Sequence, residues 1–409
     1  FRATENATGR DVVVKRFREE YGTGECLDEF NMTRELTHPN VVRTFGVYME
    51  STMFIVMEFA AGGDLNGHIQ KYKGEITERW SAGVMDQVLR ALAYCHGMKV
   101  LHHDIKPDNI LITSPAPENA SGAPHIVVGD WGQATYLKSQ GVSKENFNHG
   151  DDSYYPPEMH SGQAGVKSDL FMAGVTLVEL LTGELDDKVP DEGVCSEDAR
   201  DLCQQMLEED YEARATVRQC LAHQWFSPPP NSVAPGEMEK AAVQLRQHAK
   251  SSTLRKMARN VFAARLGSQR LQKVRHLFQA LDKDGNGTIS RAELRAAFGD
   301  LGLGDDGMRK VYAALAYDEE EGIDFNTWVA ATLDLDEMGS DFVVGTLHQV
   351  FSEADKNGDG VVSQEELFNG FLRDLDEDEK DIVKESLRAQ CGGEAVITLD
   401  LWGKGMGVE

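Results

Sequence analysis

A carboxylate, a lysine two residues on and a carboxamide five residues on stand together in Leu101-His102-His103-Asp104-Ile105-Lys106-Pro107-Asp108-Asn109-Ile110. The spacing has a chemical use. Asp104 can accept the proton of an attacking hydroxyl, Lys106 can neutralise a phosphate in transfer, and the amide oxygen of Asn109 can hold a metal ion. A second hard-oxygen ligand, Asp130, sits in Gly129-Asp130-Trp131-Gly132, directly after the apolar run Ile126-Val127-Val128. Further on, Asp282, Asp284, Asn286, Thr288, Ser290 and Glu293 occupy ligand positions of a twelve-residue calcium loop, with Gly287 at its sharp turn. Asp355, Asn357, Asp359, Val361, Ser363 and Glu366 repeat the pattern with Gly360 at the turn. In each loop the side-chain oxygens of the first three residues, a backbone carbonyl (Thr288 or Val361) and a bidentate glutamate fit one calcium ion.

These groups need elements to hold them. Val12-Val13-Val14 reads as a β-branched strand that ends on Lys15, and helical spacing follows from Glu29 to Leu36 until His38-Pro39-Asn40 breaks it. Val41 to Met49 and Met53 to Phe59 read as two more strands, and after Ala61-Gly62-Gly63 long helices such as Arg79 to His96 take over. A β-rich part followed by a helical part predicts two lobes with a cleft between them. Pro228-Pro229-Pro230 cannot continue a helix and marks a domain boundary.

At 409 residues the chain has room for two or three domains. Its net charge of −27 excludes general nucleic-acid binding, because a phosphate backbone would be repelled. No apolar run approaches the length of a membrane span. Six scattered cysteines without C-x-x-C pairing read as reduced thiols, which predicts a cytoplasmic protein. The chain opens at Phe1, so peripheral membrane attachment through an acylated N-terminus is not read from it. The charge is unevenly spread. Residues 240–275 hold ten Lys or Arg and no Asp or Glu, with acidic sequence on both sides. Leu254, Met257, Val261, Phe262 and Leu266 recur there at helical spacing, which predicts one basic amphipathic helix attractive to both acidic bodies.

Residues 1–226 resemble a eukaryotic protein kinase, on Lys15, the Asp104-x-Lys106-x-x-Asn109 loop and the Asp130 turn. The resemblance implies that Lys15 holds the ATP phosphates with Glu29 as its helix partner, that Asp104 is the catalytic base and Lys106 its companion, and that Asn109 and Asp130 bind Mg2+. Met57-Glu58-Phe59-Ala60 is similar to the hinge, whose Glu58 and Ala60 backbone meets adenine. Asp64 matches a further nucleotide-side residue, and Asp64 and Asp108 stand where an arginine upstream of the target Ser or Thr is read. Glu158 and Arg214 match a structural ion pair, and Asp169 the brace of the catalytic loop. His103 departs from the family's arginine, which pairs with a phosphate on the activation segment. A neutral His binds such a phosphate poorly, so control is expected from elsewhere. Asp151 and Asp152 stand where the family has a Gly-Thr pair, the Gly-rich phosphate loop would end just before Phe1, and the stretch between Gly183 and Ala199 is shorter than in the family.

Beyond residue 276 the calcium loops belong to a four-fold repeat. Ile289, Ile323, Val362 and Ile397 recur at intervals of 34, 39 and 35 residues. The second unit has Ala316, Glu321 and Thr327 where a first ligand, a glycine and a bidentate acid belong, and the fourth has Gln390, Gly392 and Leu401 at the first, third and last positions. These two are expected to bind no calcium and to serve as structural partners of the working loops. The whole chain resembles the calcium-dependent protein kinases of plants and protists: a two-lobed α+β kinase domain (1–226), a linker and basic junction (227–275), and an all-α EF-hand domain (276–409). The resemblance implies a monomeric, calcium-activated Ser/Thr kinase using ATP, Mg2+ and Ca2+, inhibited at low calcium by its own junction helix. It also implies substrates that carry a basic residue upstream of Ser or Thr. The alternative from another class is a catalytically impaired kinase fold serving as a calcium-responsive scaffold.

Overall fold

The computed structural model describes residues 1–409 apart from 7, 18–22, 50–51, 115–122, 138–142, 145–150, 228–234, 268–270, 300–303, 316–321, 336–337, 339, 370–379, 382–383, 385–395, 401–402 and 404–409. By contacts it divides into two compact units, Phe1 with Val13–Ser232 and Asp282–Thr288, and Arg2–Val12 with Val233–Leu281 and Ile289–Glu409.

The N-terminal sheet has the order β1-β2-β4-β3, from β1 (Arg2–Thr4), β2 (Asp11–Arg16), β3 (Thr44–Met49) and β4 (Met53–Glu58), with helix α1 (Thr23–Glu35) in the connection after β2. The strand expected from Val41 begins only at Thr44. His38-Pro39-Asn40 is the reason, because it does more than end a helix. Asn40 Nδ2 donates to Gln87 Oε1 (3.0 Å) and to the Ile126 carbonyl (2.8 Å), while the Asn40 carbonyl accepts from Val128 N at 2.8 Å. Val41 is thereby bridged to Val128 and leaves the sheet. The same bonds fix the strand that leads into Asp130.

The helical part follows with β5 (Gly63–Asp64), α2 (Leu65–Lys71), α3 (Glu78–Gly97), β6 (Val100–Leu101), β7 (Ile110–Ile112), β8 (Ile126–Val128) and β9 (Thr135–Tyr136). Strands β5, β7 and β8 form one small sheet, and β6 pairs antiparallel with β9. β10 (Ser143–Lys144) pairs with β11 (Gln163–Ala164), on either side of α4 (Pro157–His160). Helix α5 (Val166–Thr182) is apolar almost all round and correspondingly buried on nearly every side, and Gly183 at φ 75° closes it in the left-handed conformation that glycine adopts without strain. The chain then reaches α6 (Glu197–Met206) and α7 (Val217–Leu221) without an intervening helix. Ser196 caps α6 and also donates from N and Oγ to Glu78 (2.7 Å each), so the short connection is tied to the start of α3.

The junction departs from the expectation of one helix. It forms α8 (Pro235–Ala249) and α9 (Thr253–Ala263), broken where Ser252 accepts the Arg255 amide and starts a new helix. Leu266 lies beyond α9, in a turn closed by Leu266 N donating to the Ala263 carbonyl (3.1 Å). Ala258, Phe262 and Leu266 are buried in one core with Phe298, Val329 and Leu347, and Met257 and Val261 pack against it half-buried. The side chain of Leu254 lies outside the described residues. The junction's basic groups also find partners in this unit: Lys240 pairs with Asp334 at 2.8 Å, Arg265 pairs with Glu353, and Arg259 Nε donates to the Ala330 carbonyl (2.6 Å). Burying a Phe262-sized side chain contributes about 1.5–3 kcal/mol.

The remaining elements are α10 (Gln272–Leu281), β12 (Thr288–Ile289), α11 (Arg291–Phe298), α12 (Gly304–Leu315), β13 (Ile323–Asp324), α13 (Phe325–Thr332), α14 (Ser340–Ala354), β14 (Val361–Ser363), α15 (Gln364–Asn369) and β15 (Val396–Thr398). β12 pairs with β13, and β14 runs antiparallel to β15 with Val362 opposite Ile397. The loop at Asp282 is thus strapped to the second unit and the loop at Asp355 to the fourth through the four repeat residues, all at most 1% exposed. Ala316, Glu321, Gln390, Gly392 and Leu401 lie outside the described residues.

Candidate active site and calcium loops

A cavity of about 930 Å³ opens between β2, Met57 of β4, Leu111 of β7 and Gly129 just past β8, and Lys15, Asn109 and Asp130 wall it. Lys15 Nζ lies 2.7 Å from Glu29 Oε1 and 2.9 Å from Asp130 Oδ1. Burial works against the charge on Lys15, but Asp130 and Glu29 outweigh it and raise its pKa. Burial would likewise raise Asp130, yet Lys15 holds its carboxyl below the ordinary value; burial raises Glu29. Asp130 has φ 55° and His103 φ 65°, both in the left-handed region that costs a residue with a Cβ about 1–3 kcal/mol. The surrounding bonds must therefore hold them.

Asp169 supplies much of that hold. Its fully buried carboxylate accepts from the backbone amides of His102 (3.0 Å) and His103 (2.9 Å) and contacts His96 Nε2 at 2.8 Å. Burial pushes its pKa up, but these partners prevail and bring it to about 2. Trp131 packs edge-on against His102, with ring centroids 4.5 Å apart. Asp104 Oδ1 accepts from Lys106 Nζ (2.9 Å), and Asn109 Nδ2 donates to Asp104 Oδ2 (2.8 Å) and to its carbonyl (2.7 Å). The amide's donor end is therefore spent on Asp104, and its oxygen is the atom for a cation. Asn109 and Asp130, two hard-oxygen donors on one cavity wall, fit Mg2+.

At the hinge, Glu58 N donates to the Arg43 carbonyl at 2.9 Å, and Gly63 N donates to the Ala60 carbonyl at 3.3 Å. Asp64 caps α2, accepting the Gly67 amide at 2.7 Å, and Asp108 accepts from Asn66 Nδ2 at 3.0 Å. One acid was missed in the sequence. Glu179, in an apolar helix, accepts the Tyr154 hydroxyl at 2.6 Å, and burial together with nearby Asp108 and Asp151 raises its pKa. The signal was a lone charge in the apolar run of α5. Arg214 and Glu158 form a bidentate pair at 2.6 and 3.0 Å.

The two calcium loops share one wiring. Asp282 accepts from the amides of Asn286 (3.1 Å) and Gly287 (3.0 Å), and Asp355 from those of Asp359 (3.2 Å) and Gly360 (2.9 Å). Asn286 Oδ1 accepts from Thr288 N, and Asp359 Oδ1 from Val361 N. Gly287 sits at φ 81° and Gly360 at φ 84°, which makes the sharp turn a glycine position. Ser290 and Ser363 cap the exiting helices and bond Glu293 and Glu366, turning both glutamates back over their loops. Carboxylate oxygens of Asp282, Asp284 and Glu293 lie within 4.8 Å of one another, a donor set suited to calcium. In the second unit, Asp324 instead spends its carboxylate capping α13, on Asn326 N (2.7 Å) and on Thr327 Oγ1 (2.6 Å).

Comparison with known proteins accords with this geometry. The protein kinase domain model matches residues 1–226, an EF-hand domain model matches 273–302 and an EF hand model matches 347–371, the last two covering the working loops. The chain belongs to the protein kinase family. Its kinase domain and EF hands, in that order, make it one of the calcium-dependent protein kinases, with sites for ATP, Mg2+ and Ca2+. It is 28% identical over 398 residues to calcium-dependent protein kinase 5 of Plasmodium falciparum (isolate 3D7), covering 90% of this chain and 67% of that one. It is 28% identical over 399 residues to calcium-dependent protein kinase 2 of Zea mays (90% and 75%), and 27% over 394 residues to kinase 34 of Arabidopsis thaliana (89% and 73%). The chain thus spans about two thirds to three quarters of these relatives.

Proposed function

We propose that the chain is a catalytically competent, calcium-activated Ser/Thr protein kinase whose junction inhibits it at low calcium and is taken up by the EF-hand body when calcium binds. The observation that carries competence is the joined set Glu29–Lys15–Asp130 beside Asp104–Asn109, which a scaffold has no need to assemble. Lys15 orients the nucleotide phosphates, Asp104 accepts the substrate hydroxyl's proton, and Lys106 stabilises charge on the group in flight. Asn109 and Asp130 would hold Mg2+, which would supply positive charge to the phosphate oxygens. The exposed acids Asp64 and Asp108, which bond Gly67 N and Asn66 Nδ2 of α2, support a basic residue upstream of the target.

Peptide phosphorylation is expected to rise steeply with micromolar calcium, and faster for an Arg-containing Ser peptide than for its Arg→Ala counterpart. A flat calcium titration sinks the proposal. The burial of Phe262 and Leu266 in the EF-hand core supports uptake of the junction. Met257→Gln with Val261→Asn, both half-buried and so tolerable to the fold, should raise the half-activating calcium concentration several-fold. Coupling is reciprocal, so a junction held less tightly weakens calcium binding too. Unchanged half-activation would remove the junction from the switch.

A further inference from the structure

Strand β9 lies a few residues past Asp130 and is only Thr135 and Tyr136. Successive strand side chains point to opposite faces, so the two residues reach different elements. Thr135 Oγ1 lies 2.8 Å from Nε2 of the buried His103, in the catalytic loop. A threonine hydroxyl can donate or accept, so this bond forms with a neutral imidazole and needs no added charge. Tyr136 donates its hydroxyl to Glu35 Oε2 at 3.0 Å, and Glu35 is the last residue of α1. The strand itself is anchored: Leu101 faces Thr135, Val100 faces Tyr136, and Leu137 N donates to the Lys99 carbonyl at 2.7 Å.

Helix α1 also carries Glu29, about 9 Å along its axis from Glu35. Glu29 is the group that holds Lys15. A helix moves as a rigid body, so a tether on its last turn sets where Glu29 stands. We propose that Thr135, Tyr136 and Glu35 are positioning residues, a clamp that seats the start of the activation segment on both the catalytic loop and α1 without a phosphate. The clamp rests on the kinase activity proposed above. Its effect is on alignment, where a misplacement of about 1 Å costs on the order of a hundredfold in rate. A single exposed hydrogen bond controls only part of that.

The test uses the full chain at saturating calcium and an Arg-containing Ser peptide. Tyr136→Phe and Glu35→Ala are each expected to lower kcat about three- to tenfold, the range of one hydrogen bond. The double variant should be no slower than either, because both remove the same bond. Thr135→Val should lose a similar factor. Thr135→Ser, which keeps the hydroxyl, and Glu35→Gln, which keeps an acceptor, should recover most of the rate. Peptide KM should stay constant throughout, and phosphatase treatment of the wild type should leave its rate unchanged. Additive losses, equal losses in the conservative variants, or a phosphatase-sensitive wild type would overturn the clamp. A wild type inactive at every calcium concentration fails the kinase reading and the clamp together, whereas an active wild type with an unaffected Tyr136→Phe variant fails the clamp alone.

Discussion

Replacing Glu293 and Glu366 together by Gln should abolish calcium activation, leaving the ratio of calcium to chelator rates near one. Each glutamate is the last ligand of its loop and is already turned back over it by the serine at the start of the exiting helix. Glu366 Oε1 also accepts the Lys356 amide at 2.9 Å and the Asn357 amide at 3.2 Å, so the carboxylate lies across the loop. Glutamine keeps the size and one oxygen but loses the charge and the bidentate grip that a calcium ion requires. Moving a two-state switch from 1:99 to 99:1 takes about 5.5 kcal/mol, or about 2.7 kcal/mol from each of two ions. That corresponds to roughly a hundredfold affinity difference per site, so loss of either ion should blunt the switch and loss of both should end it. Calorimetry should show calcium binding lost in step with activity. Calcium-stimulated transfer by a double variant that binds no calcium would show that the ions act through another site.

Asp104→Asn should lower kcat by about 10²–10⁴-fold, the usual contribution of a positioned general base. The variant is close in shape and keeps a group to face Asn109, so folding, nucleotide binding and calcium affinity should survive. It loses the proton acceptor and the charge that pairs with Lys106 at 2.9 Å. The measurement is kcat at saturating ATP and peptide, with the KM for ATP expected to change little. Equal rates in variant and wild type would mean that residual transfer does not use Asp104. A cellular role fully retained by the variant would favour the scaffold alternative.

Much of this was legible because some chemistry demands fixed spacing along the chain. A calcium loop is one short turn whose ligands are neighbours in sequence, so Asp282 to Glu293 and Asp355 to Glu366 could be read position by position. The Asp104–Asn109 segment is equally local. Its remote supports were visible only through resemblance, as with Asp169 and Glu29. The capping duty of Asp64 had no advance signal, and Glu179 only the lone charge in α5.

The junction shows the limit most clearly. Its charge and apolar stripe marked it as something that would be gripped, and the repeat residues Ile289, Ile323, Val362 and Ile397 marked loops that would pair. Periodicity could not tell one helix from two, because Ser252 is an unremarkable residue until its side chain accepts the Arg255 amide. Nor could it place Phe262 and Leu266 in one core with Phe298 and Leu347, or Tyr136 beside Glu35, since those partners are distant in sequence. The local motifs and the order of the kinase domain and EF hands were legible in the sequence alone. Which acidic groups hold which basic and polar ones was decided only in the tertiary structure, because burial and hydrogen-bond geometry choose among many partners of equal charge.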